Sequence, residues 1–567
     1  MPATATFALS GDPYIDGVLG GPKWAVNDLT FSFPSSASFY GAGYGDGEPT
    51  DNFGSLNAAQ QFAARATFNM ISSVANLAFT EVAETSTAHA DLRLAMSDAP
   101  STAWAYLPST AAEGGDAWFN RSNGYYDSPA KGNYAYTTFL HEIGHAVGLE
   151  HAHEGNVMPT DRDSMEYTVM SYRSYVGGST SGGYTNETWG YAQSLMMYDI
   201  AGLQHMYGAD YTTNSANTTY SWSPTTGEMF VNGIGQGAPG ANRIFLTVWD
   251  GGGTDTYDFS SYTTNLKIDL RPGEWTITSS AQLAKLHYDG SKVAVGNIAN
   301  ALLYNNDARS LIENARGGSG NDVITGNATS NGLWGGAGND TFYGREGNDC
   351  LRGGPGADWL DGGSGADMAN YWGAAATSAA KGTGIIADLA WQGLNTGEAA
   401  GDRYVSIEQL YGSTFNDDLR GDGSSNLICG GPGGDVIYGR GSNDQIQGGD
   451  GHDVLIGGYG GDWLHGGKGP DIFLFQGIGD SLPTQRDTIA DFSSGLDKID
   501  LRRLDANRNE AGDQAFSFIG DSEFTGSAGE LQFRDGMLSG DVDADRMVDF
   551  QVQLTNVSVL IESDFWL

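Results

Sequence analysis

Apolar residues follow two different periods along this chain. Up to about Asp210 the spacing is that of a mixed globular domain. Residues 56–77 read as one long helix and 191–207 as another, the second with Met196, Ile200, Leu203 and Met206 at helical intervals. Gly208 follows as a C-terminal cap, and the methionines read as core packing. Between these helices, TAWAYL at 102–107 and DAWFN at 116–120 read as strands. This zone is therefore predicted to be α+β.

Beyond residue 316 the period becomes nine. Six phased units run from Gly317 (GGSGNDVIT through GGSGADMAN) and seven from Gly412 (GSTFNDDLR through GGKGPDIFL). Position eight is large and apolar in twelve of the thirteen units, with Ala369 the exception, so it is predicted to point inward. Position six is Asp322, Asp340, Asp349, Asp358, Asp367, Asp417, Asp435, Asp444, Asp453, Asp462 and Asp471, with Asn331 and Asn426 in the other two units. Glycine tolerates positive φ and close backbone approach, so each unit reads as a tight turn followed by a short strand. The two arrays start 95 residues apart, which is not a multiple of nine; residues 371–411 are read as an interruption.

Composition turns this pattern into chemistry. Glycine supplies 84 of 567 residues, and 28 basic against 69 acidic residues give a net charge of −41. Stacked turns would crowd aspartates together, and like charges at that spacing repel strongly. Hard divalent cations held by carboxylate and backbone oxygens remove the repulsion, and calcium fits best. A flexible glycine linker would show no phased Asp and apolar positions. The charge argues against nucleic acid and anionic membranes as partners. No run approaches the roughly 18 apolar residues of a membrane helix. Cys350 and Cys429 cannot form a disulfide framework. Residues 1–20 carry no Lys or Arg and no sustained apolar stretch, so no Sec-type signal is expected there.

The strongest catalytic signal is HEIGHAVGLEH at 141–151. His141 and His145 lie four apart on one helix face, where both imidazoles can reach one zinc ion. Gly148 lets the chain turn out of the helix so that His151 can return as a third ligand. Three histidines leave an open coordination position, which marks a catalytic rather than a structural zinc site. Glu142 stands beside them, placed to take a proton from water. Thr168-Val169-Met170-Ser171-Tyr172 follows as a Met-turn, and the extended motif with this turn identifies a metzincin.

The nonapeptides resemble the calcium-binding RTX repeat. Together with the zinc motif, WAYL at 104–107, GDAWFN at 115–120, VMSY at 169–172, WDGGGTDTYDFS at 249–260 and DTIADFSSGLDKIDL at 487–501, they make the chain resemble the serralysins, secreted bacterial zinc proteases. The resemblance implies an α+β metzincin-type protease domain followed by an all-β parallel β-roll. It implies that Tyr172 is a further zinc ligand able to swing away and stabilise the transition state, with Met170 as an apolar floor. It pairs Asp322 with Asp340, Asp340 with Asp358, Asp349 with Asp367, Asp435 with Asp453, Asp444 with Asp462 and Asp453 with Asp471 around calcium. Asp250 and Asp255 in DGGGTD look like one more half-site. Residues 103–107 would be the edge strand that pairs with a peptide substrate, an ordinary sheet strand being the alternative. Serralysins usually have proline after the third histidine; this chain has Ala152 and then His153, read as an exposed loop histidine, with competition for zinc the lesser alternative.

The expected organisation is a pro-segment at 1–12, a protease domain at 13–212, a connecting segment at 213–249, an RTX roll at 250–480 with arrays at 317–370 and 412–474, and a C-terminal β segment at 481–567. The last residues, Glu562-Ser563-Asp564-Phe565-Trp566-Leu567, resemble a type I secretion signal. The expectation is a secreted, monomeric zinc endopeptidase of broad specificity that needs calcium to fold, with protein or peptide substrates and the type I secretion apparatus as partners. The alternative is a non-catalytic calcium-binding RTX surface or S-layer-associated protein.

Overall fold

The computed structural model describes residues 1–377 and 382–567. It divides into two compact units, Met1–Arg316 and Gly317–Leu567. Among the described residues no helix is long and apolar enough to cross a membrane.

The first unit is built on a five-stranded sheet of β1 (Asp28–Ser32), β2 (Ala78–Glu81), β3 (Leu92–Ser97), β4 (Ala103–Ala105) and β5 (Ala117–Asn120), in the order β2-β1-β3-β5-β4. Its pairings are parallel except that β4 runs antiparallel to β5 as an edge strand. Helix α1 (Ala58–Val74) starts at a capping box in which Asn57 and Gln60 exchange side-chain and backbone bonds. Phe68 of α1 stacks on Phe31 of β1 with ring centroids 4.4 Å apart. Helix α2 (Tyr134–Ala146) is capped by the Asn133 side chain and seated by Phe139, which stacks on Phe119 of β5 at 4.2 Å. The two aromatic contacts fix both helices on the sheet.

Helix α3 (Met197–Tyr207) is shorter than the 191–207 expected from periodicity. The amides of Tyr191 and Gln193 bond to the carbonyls of Gly132 and Phe245 instead, and the Asp199 carboxylate accepts the Met196 amide at 2.8 Å, fixing the helix start there. Thr4–Ala5, inside the segment read as a pro-segment, pairs antiparallel with Lys23–Trp24.

The second unit is mainly a roll of short parallel strands, with Glu530–Arg534, Met537–Asp541 and Phe550–Leu554 pairing antiparallel near its end. Strands repeat every 18 residues on each face, so successive nonapeptides go to opposite sheets: Gly332 pairs with Cys350 on one, Val323 with Thr341 on the other. All thirteen position-eight side chains, Ala369 included, are at most 1 % exposed, which confirms that they point inward. The glycines answer a steric need. Gly354 has φ 96°, and a Cβ there would lie 1.9 Å from the Gly336 carbonyl oxygen of the preceding turn.

The interruption affects only one face. On the first sheet Met368 pairs with Gln409 and Gln409 with Leu427, so the stack passes through. On the opposite face one sheet ends at Arg403–Val405, and a second begins at Thr383–Asp388. Residues 397–405 (GEAAGDRYV) form an out-of-phase turn of the same kind, with Leu360 paired to Tyr404. The sequence signal was the spacing from Gly397 to Asp402 to Tyr404, obscured by the broken phase.

Candidate functional site

Helix α2 presents His141 and His145 one turn apart, and their Nε2 atoms are 3.1 Å from each other. The chain leaves the helix through Gly148, whose φ of 109° suits glycine, and returns His151. Its Nε2 lies 3.2 Å from that of His141 and 2.9 Å from that of His145. The other ring nitrogens define the tautomers. Nδ1 of His141 faces the Val169 carbonyl at 2.7 Å, Nδ1 of His145 the Leu149 carbonyl at 2.8 Å, and Nδ1 of His151 the Glu154 carboxylate at 3.1 Å. Carbonyls and carboxylates only accept, so each Nδ1 carries the proton and each Nε2 a lone pair. Burial pushes His141 down to about 3 and His145 well below the usual imidazole range, keeping both neutral. Three lone pairs aimed at one point fit a zinc ion, and the Nδ1 partners are the outer contacts that orient metal-binding histidines.

Glu142 is 5 % exposed, and burial pushes its carboxyl up to about 8. It lines a cleft of about 920 Å³ together with His141, Tyr172, Tyr134 and Tyr184, and with Ala103 of the edge strand. Tyr172 leans over the histidines, its ring centroid 4.5 Å from that of His151 and 5.7 Å from that of His141. Burial, then the Glu142 charge, raise its hydroxyl to about 12. Met170 packs under α2: a Cβ on Gly144 would lie 3.0 Å from its sulfur. The residues of the extended motif and the Met-turn therefore meet at one place.

His153 departs from the sequence reading. It is half-buried rather than exposed, stacking on His151 at 5.4 Å and meeting the tilted ring of Tyr172 at 4.7 Å. It does not join the three converging nitrogens. Asp199 is a residue that the sequence reading missed. From α3 its carboxylate accepts the amide of Val169 at 2.9 Å and the hydroxyl of Thr168, bracing the Met-turn. Asp199 sits at the third helical position as a cap, a signal that says nothing about a partner thirty residues earlier.

The position-six aspartates form a ladder in the roll. The amide of each donates to Oδ1 of the aspartate 18 residues on: Asp322 to Asp340, Asp340 to Asp358, Asp349 to Asp367, Asp417 to Asp435, Asp435 to Asp453 and Asp444 to Asp462 at 2.8 Å, Asp453 to Asp471 at 3.0 Å. In eight of these aspartates the other oxygen, Oδ2, is buried without a hydrogen-bond partner. Asp340 Oδ2 and the Gly353 carbonyl flank Gly335, where a Cβ would lie 2.1 Å from one and 2.8 Å from the other. An ionised carboxylate oxygen buried without a donor is costly. An array of such oxygens next to glycine carbonyls is the donor set of a calcium site. Four rungs come from outside the phased repeats: Asp402 accepts the Asp358 amide, Glu408 that of Asp367, Asp487 that of Asp462 and Asp497 that of Asp471. Their spacings of 44, 41, 25 and 26 residues fall outside the 18-residue period, and apart from the out-of-phase turn around Asp402 only geometry reveals them.

Asp250 and Asp255 are fully buried in the first unit. Tyr220 and the Gly252 amide donate to Asp250, and the Thr218 amide donates to Asp255 Oδ1, while Asp255 Oδ2 has no partner. Glu313 accepts the Asp255 amide at 2.7 Å, a third carboxylate that the sequence reading did not single out.

Three family profiles match the chain: Peptidase M10 serralysin C terminal over residues 209–389 and 428–567, Matrixin over 50–169, and the RTX calcium-binding nonapeptide repeat over 406–437. Metallopeptidase AprA of Pseudomonas marginalis is 35 % identical over 319 residues, covering 53 % of this chain and 60 % of that protein. Serralysin A of Dickeya chrysanthemi is 34 % identical over 311 residues (52 % and 58 %), and serralysin of Proteus mirabilis 33 % over 337 residues (55 % and 60 %). The matched stretch thus spans about three fifths of the length of these relatives.

Proposed function

The chain belongs to the serralysin family of M10 peptidases, and on that premise we propose that it is a secreted zinc endopeptidase that cleaves proteins and peptides with broad specificity and depends on calcium for its fold. The observation that carries this reading is the convergence of three Nε2 lone pairs beside a buried glutamate in an open cleft.

His141, His145 and His151 would hold the zinc. Bound there, zinc supplies Lewis acidity, which polarises a peptide carbonyl and makes water acidic near neutral pH. Glu142 takes the proton from the attacking water and passes it to the leaving amide nitrogen. Its raised proton affinity suits a group that must both accept and return a proton. The Tyr172 hydroxyl, kept protonated by burial, donates a hydrogen bond to the developing oxyanion. The backbone groups of Ala103 and Ala105 face away from β5 on a sheet edge and would pair with the substrate main chain. Main-chain pairing explains broad specificity, since the backbone is common to all peptides.

Calcium in the ladder, and at Asp250 and Asp255 in the first unit, would be taken up outside the cell, where millimolar concentrations prevail. An empty, unfolded roll inside the cell would suit export by a type I apparatus. The test of the whole reading is casein cleavage by the calcium-loaded protein with and without a zinc chelator. Activity lost on chelation and restored by zinc is expected. No cleavage by the zinc-loaded chain would favour a non-catalytic calcium-binding protein.

A further inference from the structure

The turn that follows the third histidine carries a second set of metal-binding atoms. The Glu154 amide donates to the His151 carbonyl at 3.1 Å, and this tight turn brings the side chains of 151, 153 and 154 together. A ring nitrogen of His151, one of His153 and a carboxylate oxygen of Glu154 lie within 4.8 Å of one another. The His151 atom beside Glu154 is Nδ1, 3.1 Å from Oε2, across the ring from the nitrogen aimed at the zinc point. Nε2 of His153 is 3.9 Å from Glu154 Oε1, and its Nδ1 is buried without a hydrogen-bond partner. The two histidine side chains are 16 % and 15 % exposed against 57 % for Glu154, so the cluster opens to solvent through its carboxylate.

We propose that His151, His153 and Glu154 bind a second zinc ion when zinc is in excess, and that this ion inhibits the peptidase. Two imidazoles and a carboxylate suit zinc, copper or nickel rather than the calcium of the roll. A buried ring nitrogen without a partner is costly, and an ion beside it removes that cost. His151 already offers Nε2 to the catalytic zinc. The second ion would therefore replace the proton on Nδ1, which leaves to solvent, and with it the hydrogen bond to Glu154 that orients the ring. The Tyr172 ring lies against both histidines, its centroid 4.5 Å from that of His151 and 4.7 Å from that of His153, so the oxyanion donor would shift with them. Inhibition rests on the zinc-peptidase reading, whereas binding is counted without it.

Equilibrium dialysis of the full chain against rising free zinc, with calcium kept in excess to occupy the roll, counts both ions. Wild type should take up one equivalent tightly and a second more weakly, and casein hydrolysis should fall as the second is bound. His153→Ala and Glu154→Gln should each keep the first equivalent, which reports an intact catalytic centre, and lose the second together with the inhibition. Saturation of wild type at one equivalent, or a second equivalent retained in both variants, would overturn the proposal. Undiminished hydrolysis with two ions bound would overturn the inhibitory role. A wild-type chain that takes up no zinc at all would contradict the catalytic centre itself, and the second site with it.

Discussion

The carbonyl oxygen of Val169 lies 2.7 Å from Nδ1 of His141. The amide of the same valine is held by Asp199, so a carboxylate on α3 fixes the tautomer of a histidine on α2 through one residue of the Met-turn. Asp199→Ala should release the Met-turn and weaken zinc binding roughly 10–100-fold, the scale of losing an outer contact to a metal ligand. Asp199→Asn, which can still accept the Val169 amide, should lose less. Competition with a chromogenic chelator measures both, and unchanged affinity in Asp199→Ala would remove this role.

Tyr172→Phe separates binding from chemistry. The three histidines still converge without the phenol, so zinc should stay. Loss of one hydrogen-bond donor to the oxyanion should lower kcat by roughly 10–10³-fold with little change in KM. An unchanged kcat would refute the role given to Tyr172.

The first helix and the zinc motif were legible because each rests on local spacing, the apolar period of residues 56–77 and the four-residue interval from His141 to His145. The inward-pointing residues of the roll were legible for the same reason. What stayed hidden depends on contacts between distant segments. Asp199 reaches Val169 across thirty residues, and Asp487 and Asp497 continue the ladder at spacings that no repeat announces. His153 was misjudged because exposure depends on Tyr172 folding over it. Helix α3 was overextended because apolar periodicity cannot tell that the amides of Tyr191 and Gln193 are used elsewhere.

Without calcium the ladder should behave as a proton sponge. Burial pushes Asp340, Asp349 and Asp453 up to about 7, and Asp435 and Asp444 up to about 8. A carboxyl with a raised folded-state pKa makes the folded form bind more protons, so its stability contribution is complete below about pH 4 and is lost as pH rises to 7–8. The calcium-free roll should therefore be least structured near pH 8. Protons relieve the same repulsion as calcium, so the calcium concentration at half-folding should fall as pH falls from 8 to 6. Far-UV circular dichroism of the full chain, titrated with calcium at both values, checks this; a midpoint independent of pH would contradict it.

Glycine positions in the roll should differ sharply in tolerance. Gly354→Ala puts a Cβ 1.9 Å from a carbonyl oxygen at a φ of 96°. The φ alone costs about 1–3 kcal/mol, and the clash adds to it, so the calcium needed to fold should rise. Gly423→Ala meets nothing within 4 Å and should fold like wild type. Equal calcium midpoints for the two variants would show that the turns are looser than described.

The most direct measurement is of Glu142→Ala, zinc content and casein hydrolysis being read on the same preparation. Glu142 lines the cleft but is not among the three converging side chains, so its removal should leave the metal site intact. About one zinc per chain with hydrolysis abolished is the expected result. Persisting hydrolysis, or loss of the zinc together with the activity, would contradict the assignment of Glu142 as the general base of a zinc peptidase.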